Sequence, residues 1–257
     1  MEYGLLIFEG QYLTRSEQIT FAKRFGPLEF ELAALSNVLK DGTLRADDGS
    51  DDVIKILRGN MGWHHDSTYM SVQAKGAVFT AETVPKSGGA TGFADMRAAY
   101  DALGVEVQCR LEGLKAHHSL HHSQSKLGYS SQTLDGGGID KNNDLDGYGF
   151  HDGPVSVRPL VKKHPETGRK NLIIGRHAYN VVGFSEAVSE SLLDELCEFA
   201  CRPPRIYHHD WKAGDAVIWD NRCLMHQASM WDLNEGRIMY HSRIEGDPVS
   251  EAASNYL

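Results

Sequence analysis

Residues 213–228, AGDAVIWDNRCLMHQA, largely decide how this chain of 257 residues is interpreted. The apolar run 216–219 has the β-branched and aromatic residues of a buried strand. Polar residues follow it, and His226 comes just past the end of the predicted strand. A histidine just past the end of a core strand is well placed to bind a metal. A lone, half-buried histidine remains the simpler interpretation unless other ligands converge on it.

A second segment, residues 63–66 (WHHD), has the closest spacing of potential ligands. In an extended backbone, alternate residues share a face, so His64 and Asp66 point one way and His65 points the other. Together with His226 they make two histidines and one carboxylate. This set binds non-haem Fe(II) and leaves positions open for a cosubstrate and dioxygen. Taken alone, WHHD would be explained equally well by a solvated turn.

Composition and charge exclude several classes of protein. Hydrophobic residues make up 41% and charged residues 24% of the chain, which is typical of a globular protein. The net charge is −9 with no basic block, so neither nucleic acid nor an anionic membrane is expected as a partner. We find no apolar run of membrane-spanning length and no signal peptide, and therefore expect a cytoplasmic protein. The four cysteines are too few and too scattered for a disulfide framework.

The pattern of predicted elements indicates a mainly β protein with flanking helices, such as a jelly roll, in a single domain over residues 1–257. The predicted strands are 4–8, 53–57, 76–83, 157–161, 171–174, 216–219 and 238–244. Helices are predicted after Thr14, where Thr14 and Glu17 have capping-box spacing, and over about 95–111 and 185–201.

The segment 130–154 is rich in Gly, Asp and Asn and is expected to be a long loop. Loops of this length in compact domains are usually lids or binding loops, and we expect a lid here. Asn142, Asp144 and Asp146 match the start of a calcium-binding loop, but the twelfth position is Gly153 instead of the required Glu. Calcium binding is therefore the weaker interpretation.

Three blocks resemble the taurine dioxygenase family of Fe(II)- and 2-oxoglutarate-dependent dioxygenases. These are WHHD, SGGATGFADMRAAYDAL at 87–103, and AGDAVIWDNRCLMHQA followed by GRIMYHSRIEGD. Within that family, ITFAKRFG, GNMGWHHDSTYM, HSQSKLG, HPETGR and IIGRHA are most similar to the aryloxyalkanoate dioxygenases, which cleave phenoxypropionate herbicides. The resemblance covers nearly the whole chain. It implies a double-stranded β-helix (jelly-roll) barrel, Fe(II), 2-oxoglutarate as cosubstrate, and dioxygen and a small organic molecule as the other reactants.

Carried over position by position, the resemblance implies that His64, Asp66 and His226 bind iron. It also implies that Thr91 and Arg237 hold the distal carboxylate of 2-oxoglutarate. The chemistry agrees, because a guanidinium offers a bidentate fork to a carboxylate and a hydroxyl adds a third donor. Arg237 lies eleven residues beyond His226 and strengthens the metal interpretation of that histidine.

The resemblance is least informative about the primary substrate. Taurine dioxygenase has a second arginine four residues after its 2-oxoglutarate arginine, whereas this chain has His241, so taurine is not expected. An anionic substrate would need another cation, for which Arg176 and His177 are the best candidates and Arg243 a further one. Ordinary surface charge is an equal alternative for each. Asn60 matches a pocket-facing amide in the family and could equally cap a turn.

The main hypothesis is thus a dioxygenase that hydroxylates a small, carboxylate-bearing substrate, with ether cleavage if that substrate is an aryloxyalkanoate. A non-catalytic metal or small-acid binding protein on the same barrel is the alternative. A zinc hydrolase ranks last, because zinc gives no reason for the pairing of Thr91 and Arg237. The family usually has a strand and a helix before the block GLLIF. Either the sequence is truncated, or a naturally short chain exposes apolar surface that a partner subunit covers, and we expect a homo-oligomer.

Overall fold

The structure is a computed structural model that describes residues 2–128 and 154–256. The predicted lid at 130–154 therefore lies, apart from its last residue, outside the described residues. The described strands are β1 (Leu5–Phe8), β2 (Leu28–Ser36), β3 (Gly76–Thr83), β4 (Thr91–Asp95), β5 (Lys115–His118), β6 (Ser156–Pro159), β7 (Val161–Lys163), β8 (Lys170–Leu172), β9 (Ala178–Val181), β10 (Ile206–His209), β11 (Ala216–Asp220), β12 (Leu224–Ala228) and β13 (Ile238–Ile244).

The described helices are short and lie between the strands. They are α1 (Arg15–Ala22), α2 (Asp52–Gly59), α3 (Met96–Asp101), α4 (Val105–Leu111), α5 (Leu120–Ser125) and α6 (Glu186–Ala200), with one 3-10 turn at Lys23–Phe25. The mainly β class with flanking helices is therefore confirmed. None of the described helices has the length and apolar content needed to cross a lipid bilayer.

The strands form antiparallel sheets that join distant parts of the chain. The largest sheet has the order β1-β11-β3-β13-β2, and a three-stranded sheet has the order β10-β4-β12. A second three-stranded sheet, β6-β5-β9, and the pair β7-β8 complete the described set. Within the described residues these sheets remain separate and do not close into a barrel.

The two sheets that contain β11 and β12 share one core. Phe79 of β3, Trp219 of β11 and Phe93 of β4 meet in a buried cluster with ring centroids about 6 Å apart. β11 is buried along its whole length, as its apolar sequence predicts. The chain then turns directly into β12 of the other sheet. This turn brings His226 of β12 to the region between the sheets.

Several predicted elements are confirmed. The strands predicted at 76–83 and 238–244 coincide with β3 and β13. Helix α1 begins with the predicted capping box, in which Thr14 and Glu17 each accept a hydrogen bond from the other's backbone N–H. The single helix predicted at 95–111 is instead two helices. Helix α3 ends at Asp101, and α4 starts after its N-cap residue, Gly104.

The predicted strand at 53–57 is wrong, because the segment forms helix α2. Asp51 caps this helix by accepting hydrogen bonds from the N–H groups of Val53 (2.8 Å) and Ile54 (3.1 Å). Val53, Ile54 and Leu57 are all buried, which matches the spacing of one helical face. A short apolar run cannot be assigned to a strand or a buried helix from its pattern alone.

Candidate active site

An isolated antiparallel bridge places His64 beside His226. The N–H of His64 donates to the carbonyl of His226 (3.0 Å), and the N–H of His226 donates to the carbonyl of His64 (2.8 Å). The two ring centroids are 4.2 Å apart. His64 follows α2 and a turn instead of the predicted strand. The bridge to β12 nevertheless gives it the expected extended backbone.

Asp66 completes a buried cluster with these two histidines. The potential ligand atoms of His64, Asp66 and His226 all lie within 4.8 Å of one another. Asp66 Oδ2 is 3.8 Å from His226 Nε2 and accepts no hydrogen bond from any residue that the structure describes. A buried carboxylate oxygen without a donor is costly, and a bound cation would remove that cost. The cluster therefore fits a metal ion.

The protonation states of the cluster suit a divalent metal. Burial lowers the pKa of His64 to about 4 and lowers that of His226 well below its usual value, so both rings are neutral at pH 7. His64 Nδ1 lies 2.7 Å from the carbonyl of Gly62, to which it must donate, and its Nε2 is left with a lone pair. Burial alone would raise the pKa of Asp66, but Arg243 and the nearby histidines hold it well below its usual range. Two neutral imidazoles and a carboxylate make the donor set of non-haem Fe(II) sites.

Asn221 fixes the backbone of Asp66. Its Oδ1 accepts from the Asp66 N–H (2.7 Å), and its Nδ2 donates to the Asp66 carbonyl (2.9 Å). His65 faces away from the cluster, as predicted, and its Nδ1 donates to the Asn221 carbonyl (2.8 Å). No role was predicted for Asn221 from the sequence, although it lies between Asp220 and Arg222 in the block 213–228.

A cavity opens beside the cluster. Its lining includes seven of the ten predicted site residues, namely Asn60, His64, Asp66, Thr91, His226, Arg237 and His241. Apolar side chains of Leu35, Leu57 and Phe79 also line it. The tertiary structure therefore brings together most of the residues that the resemblance selected.

Arg237 presents a buried charge to this cavity. Only 3% of the residue is exposed, and its Nε and Nη2 have no hydrogen-bond partner within residues 2–128 and 154–256. Burial lowers its pKa to about 10, so the guanidinium stays charged at pH 7. Its neighbours are the rings of Trp231 and Phe79, whose centroids lie 5.1 and 6.0 Å from Cζ. A buried guanidinium without an anion is costly. Arg237 is therefore suited to bind an anion that enters the cavity.

Thr91 lies at the start of β4 and faces the same cavity. Its Oγ1 accepts a hydrogen bond from Trp211 Nε1 at 2.9 Å. Because the indole can only donate, the Thr91 proton is left to donate to another group. Trp211 was not identified from the sequence.

Asn60 and His241 both line the cavity, and neither brings a positive charge to it. Burial lowers the pKa of His241 to about 3, so its ring is neutral at pH 7. His241 Nε2 lies 3.6 Å from Asp66 Oδ2, and the ring stacks on Trp219 with centroids 5.7 Å apart. The main chain of Asn60 accepts from the N–H of Ala228 in β12 (2.7 Å), which ties the end of α2 to the site.

Arg176 and His177 lie next to the cluster but outside that lining. The N–H of Arg176 donates to the Trp63 carbonyl (2.9 Å), and the His177 ring lies 5.8 Å from that of His64. No carboxylate pairs with Arg176 among the residues that the structure describes. Burial lowers the pKa of Arg176 to about 10, so this guanidinium is also charged at pH 7.

Arg243 is fully buried behind Asp66. Its Nη2 contacts Asp66 Oδ1 (3.2 Å), and its Nη1 contacts Glu29 Oε1 (3.3 Å) and Ser67 Oγ (3.1 Å). The guanidinium is therefore engaged by two carboxylates. These contacts orient Asp66 and do not support a direct contact with substrate.

A second buried cluster, His164, Asp220 and Cys223, also has its potential ligand atoms within 4.8 Å of one another. Here Asp220 Oδ2 pairs with His164 Nε2 (3.0 Å) and Arg222 Nη2 (2.7 Å), and Oδ1 accepts from Arg222 Nε (2.8 Å). Both carboxylate oxygens already have donors. This cluster is complete without a metal.

Comparison with known sequences agrees with this geometry. Residues 1–243 match the family described as taurine catabolism dioxygenase TauD, TfdA family. An (S)-phenoxypropionate/alpha-ketoglutarate-dioxygenase of Sphingobium herbicidovorans is 64% identical over 253 residues, covering 98% of this chain and 86% of the relative. An alpha-ketoglutarate-dependent 2,4-dichlorophenoxyacetate dioxygenase of Cupriavidus pinatubonensis is 37% identical over 263 residues, covering 96% of this chain and 86% of the relative.

Solved structures give the same result. AAD-2 in complex with Mn(II) and N-oxalylglycine has a TM-score of 0.83 at 34% identity, covering 95% of this chain and 85% of that one. A taurine dioxygenase from Burkholderia xenovorans has a TM-score of 0.70 at 26% identity, covering 95% of this chain and 78% of that one. From its sequence and its fold, this chain belongs to the TauD/TfdA family of dioxygenases.

Proposed function

We propose that this protein is an Fe(II)- and 2-oxoglutarate-dependent dioxygenase that cleaves the ether bond of an aryloxyalkanoate. One observation carries the proposal. Two charged arginines, the buried Arg237 and the partly buried Arg176, lie close to a two-histidine, one-carboxylate cluster, and neither has a carboxylate partner among the described residues. The proposed reaction needs two organic anions at one metal: the cosubstrate and the substrate.

His64, Asp66 and His226 would hold the iron. When bound, the metal activates dioxygen together with the oxidative decarboxylation of 2-oxoglutarate to succinate. Arg237 and Thr91 would bind the distal carboxylate of the cosubstrate, the first through its unpaired N–H groups and the second through its hydroxyl proton.

Arg176 and His177 would bind the carboxylate of the primary substrate, beside the face of His64. Relatives named for phenoxypropionate and 2,4-dichlorophenoxyacetate support this class of substrate. Hydroxylation of the carbon beside the ether oxygen yields a hemiacetal-type product that collapses to a phenol and a keto acid. The residues around the cluster would position that C–H bond and exclude water.

We also infer that the sheets belong to a double-stranded β-helix and that residues 1–257 form one dioxygenase domain. Pairing of β1 with β11 and of β2 with β13 supports this, because strands from both ends of the chain share one sheet. A cytoplasmic location and a homo-oligomeric state complete the proposal. Light scattering of the purified protein tests the oligomeric state.

The test is anaerobic reconstitution with Fe(II) and 2-oxoglutarate, followed by oxygen and a panel of aryloxyalkanoates in both enantiomers. Succinate and phenol are measured together. Formation of both, dependent on the aryloxyalkanoate, supports the full proposal. Succinate without phenol retains the dioxygenase and rejects ether cleavage. The absence of both products from iron-loaded protein favours a non-catalytic binding protein.

A further inference from the structure

Two residues that the proposed reaction does not use shape the position of Arg176. Gly59 ends helix α2, and a β-carbon added there would lie 2.6 Å from Arg176 Nη1 and 2.8 Å from Gln124 Oε1. Such distances are far below van der Waals contact. A side chain at this position would displace the guanidinium and the amide, so glycine lets both pack on the end of α2 as observed.

Gln124, in α5, supplies the acceptor that orients the guanidinium. It is 1% exposed, and its Oε1 accepts from Arg176 Nη2 at 2.8 Å. The Ser123 carbonyl accepts from the same Nη2 at 3.3 Å. Both acceptors are neutral, so they hold the side chain without cancelling its charge.

Two buried arginines near the same region, Arg243 and Arg222, are held differently. Arg243 contacts the carboxylates of Asp66 and Glu29, and Arg222 contacts those of Asp220 and Glu166. Those charges are already neutralised. The neutral partner of Arg176 leaves its charge available for an anion that comes from outside the chain.

Helix α5 also fixes the neighbouring His177. Ser123 Oγ lies 2.8 Å from the Leu120 carbonyl, to which it must donate, and 2.9 Å from His177 Nδ1. Because the single hydroxyl proton is used on the carbonyl, Ser123 accepts from the N–H of His177. Consecutive residues of one helix therefore orient both side chains proposed to hold the substrate.

We propose that Gly59 and Gln124 are specificity-determining positioning residues that keep the Arg176 guanidinium oriented and un-neutralised for the carboxylate of the primary substrate. The inference rests on the proposed function. It adds that the preference for an acid over a neutral molecule depends on the neutral amide at position 124 and on the missing side chain at position 59.

The test uses protein loaded with Mn(II) and N-oxalylglycine, so that binding is measured without turnover. Calorimetry gives the affinities for (S)-phenoxypropionate and for its neutral amide. Gln124→Glu, which is nearly isosteric, should pair with Arg176 and lower the affinity for the acid about tenfold or more, with little change for the amide. Gln11→Glu adds the same charge at an exposed position and should change neither affinity.

A double-mutant cycle separates this role from a merely structural one. Arg176→Met should weaken acid binding, and adding Gln124→Glu to it should then have little further effect. An equal loss of acid affinity in both backgrounds would overturn the inference. So would equal losses for acid and amide.

Gly59→Ala tests the second residue independently. Alanine has a higher helix propensity than glycine, which offsets the lost contact of Arg176 with Gln124, so the melting temperature should change little. Acid affinity should fall because the added carbon displaces the guanidinium. Wild-type protein that prefers the acid, with unchanged affinities in Gln124→Glu and Gly59→Ala, would overturn this inference alone. Wild-type protein that binds N-oxalylglycine but neither acid nor amide would overturn the substrate class and this inference together.

Discussion

Two buried clusters of similar composition lie within the described residues, and only one of them fits a metal. In the cluster of His64, Asp66 and His226, no described residue donates a hydrogen bond to Asp66 Oδ2. In the cluster of His164, Asp220 and Cys223, both oxygens of Asp220 are taken by protein groups. Residue type, burial and spacing are nearly the same in the two.

The two clusters differ in whether each carboxylate oxygen already accepts a hydrogen bond from the protein. A bound metal stabilises a carboxylate little when protein groups already donate hydrogen bonds to both of its oxygens. It stabilises a buried carboxylate much more when one oxygen has no donor. Arginines follow the same division, because Arg222 neutralises Asp220 while Arg237 has no anionic partner in the part of the chain that the structure describes. Unsatisfied polar atoms therefore separate the candidate site from the structural cluster.

Loss of one histidine from each cluster should have the most unequal effect on metal binding. His64→Ala should lower Fe(II) affinity more than about 100-fold, since losing an outer-shell partner alone typically costs 10- to 100-fold. His164→Ala, the matched control, should keep its iron. Iron content after anaerobic reconstitution and gel filtration measures both. Equal iron loss in the two variants would contradict the comparison.

Asp220→Asn should chiefly lower stability. It leaves the buried Arg222 short of a counter-charge, and the free energy of unfolding should fall by about 3 kcal/mol in urea titrations at pH 7. Burial alone would raise the pKa of Asp220, but Arg222 and His164 hold it well below its unfolded value of 3.8. Its contribution is thus present above pH 4 and is lost as the pH falls further. A deficit that stays constant down to pH 2 would refute the ionised pair.

Arg237→Lys should raise the KM for 2-oxoglutarate about tenfold, because one ammonium cannot reproduce the two-pronged contact with a carboxylate. Fe(II) affinity measured without 2-oxoglutarate should not change. Steady-state assays of succinate at varied 2-oxoglutarate give the KM. An unchanged KM would remove Arg237 from the cosubstrate site.

Cys223→Ala should have the smallest effect, a loss of about 1 kcal/mol in unfolding free energy from a small cavity. Burial raises the pKa of this thiol to about 12, so it is a protonated core side chain at pH 7 and a poor metal ligand. Turnover and iron content should match wild type. Cys109→Ala, at an exposed position, should leave stability unchanged as well. A drop in iron content for Cys223→Ala would reopen the second cluster as a metal site.

The sequence by itself determined the mainly β class, the long strands β3 and β13, the capping box of α1, and the family. Such features depend on local patterning or on motifs with fixed spacing. Alternation in residues 63–66 also predicted correctly that His65 faces away from His64 and Asp66. Helix α2 was misassigned because the short, largely apolar run 53–57 (VIKIL) is compatible with either a strand or a buried helix.

Only the tertiary structure decided which charged groups are satisfied. The sequence assigned Arg237 to the cosubstrate through the resemblance and offered Arg176 and Arg243 as substrate candidates, but it did not show how their environments differ. Arg243 contacts the carboxylate of Asp66, Arg176 donates a hydrogen bond to the amide of Gln124, and Arg237 lies against the rings of Trp231 and Phe79. Partners that lie tens to hundreds of residues away in the chain set these differences, and no local pattern encodes them. Burial then magnifies them, because an unpaired charge is tolerated in water but costly in the interior.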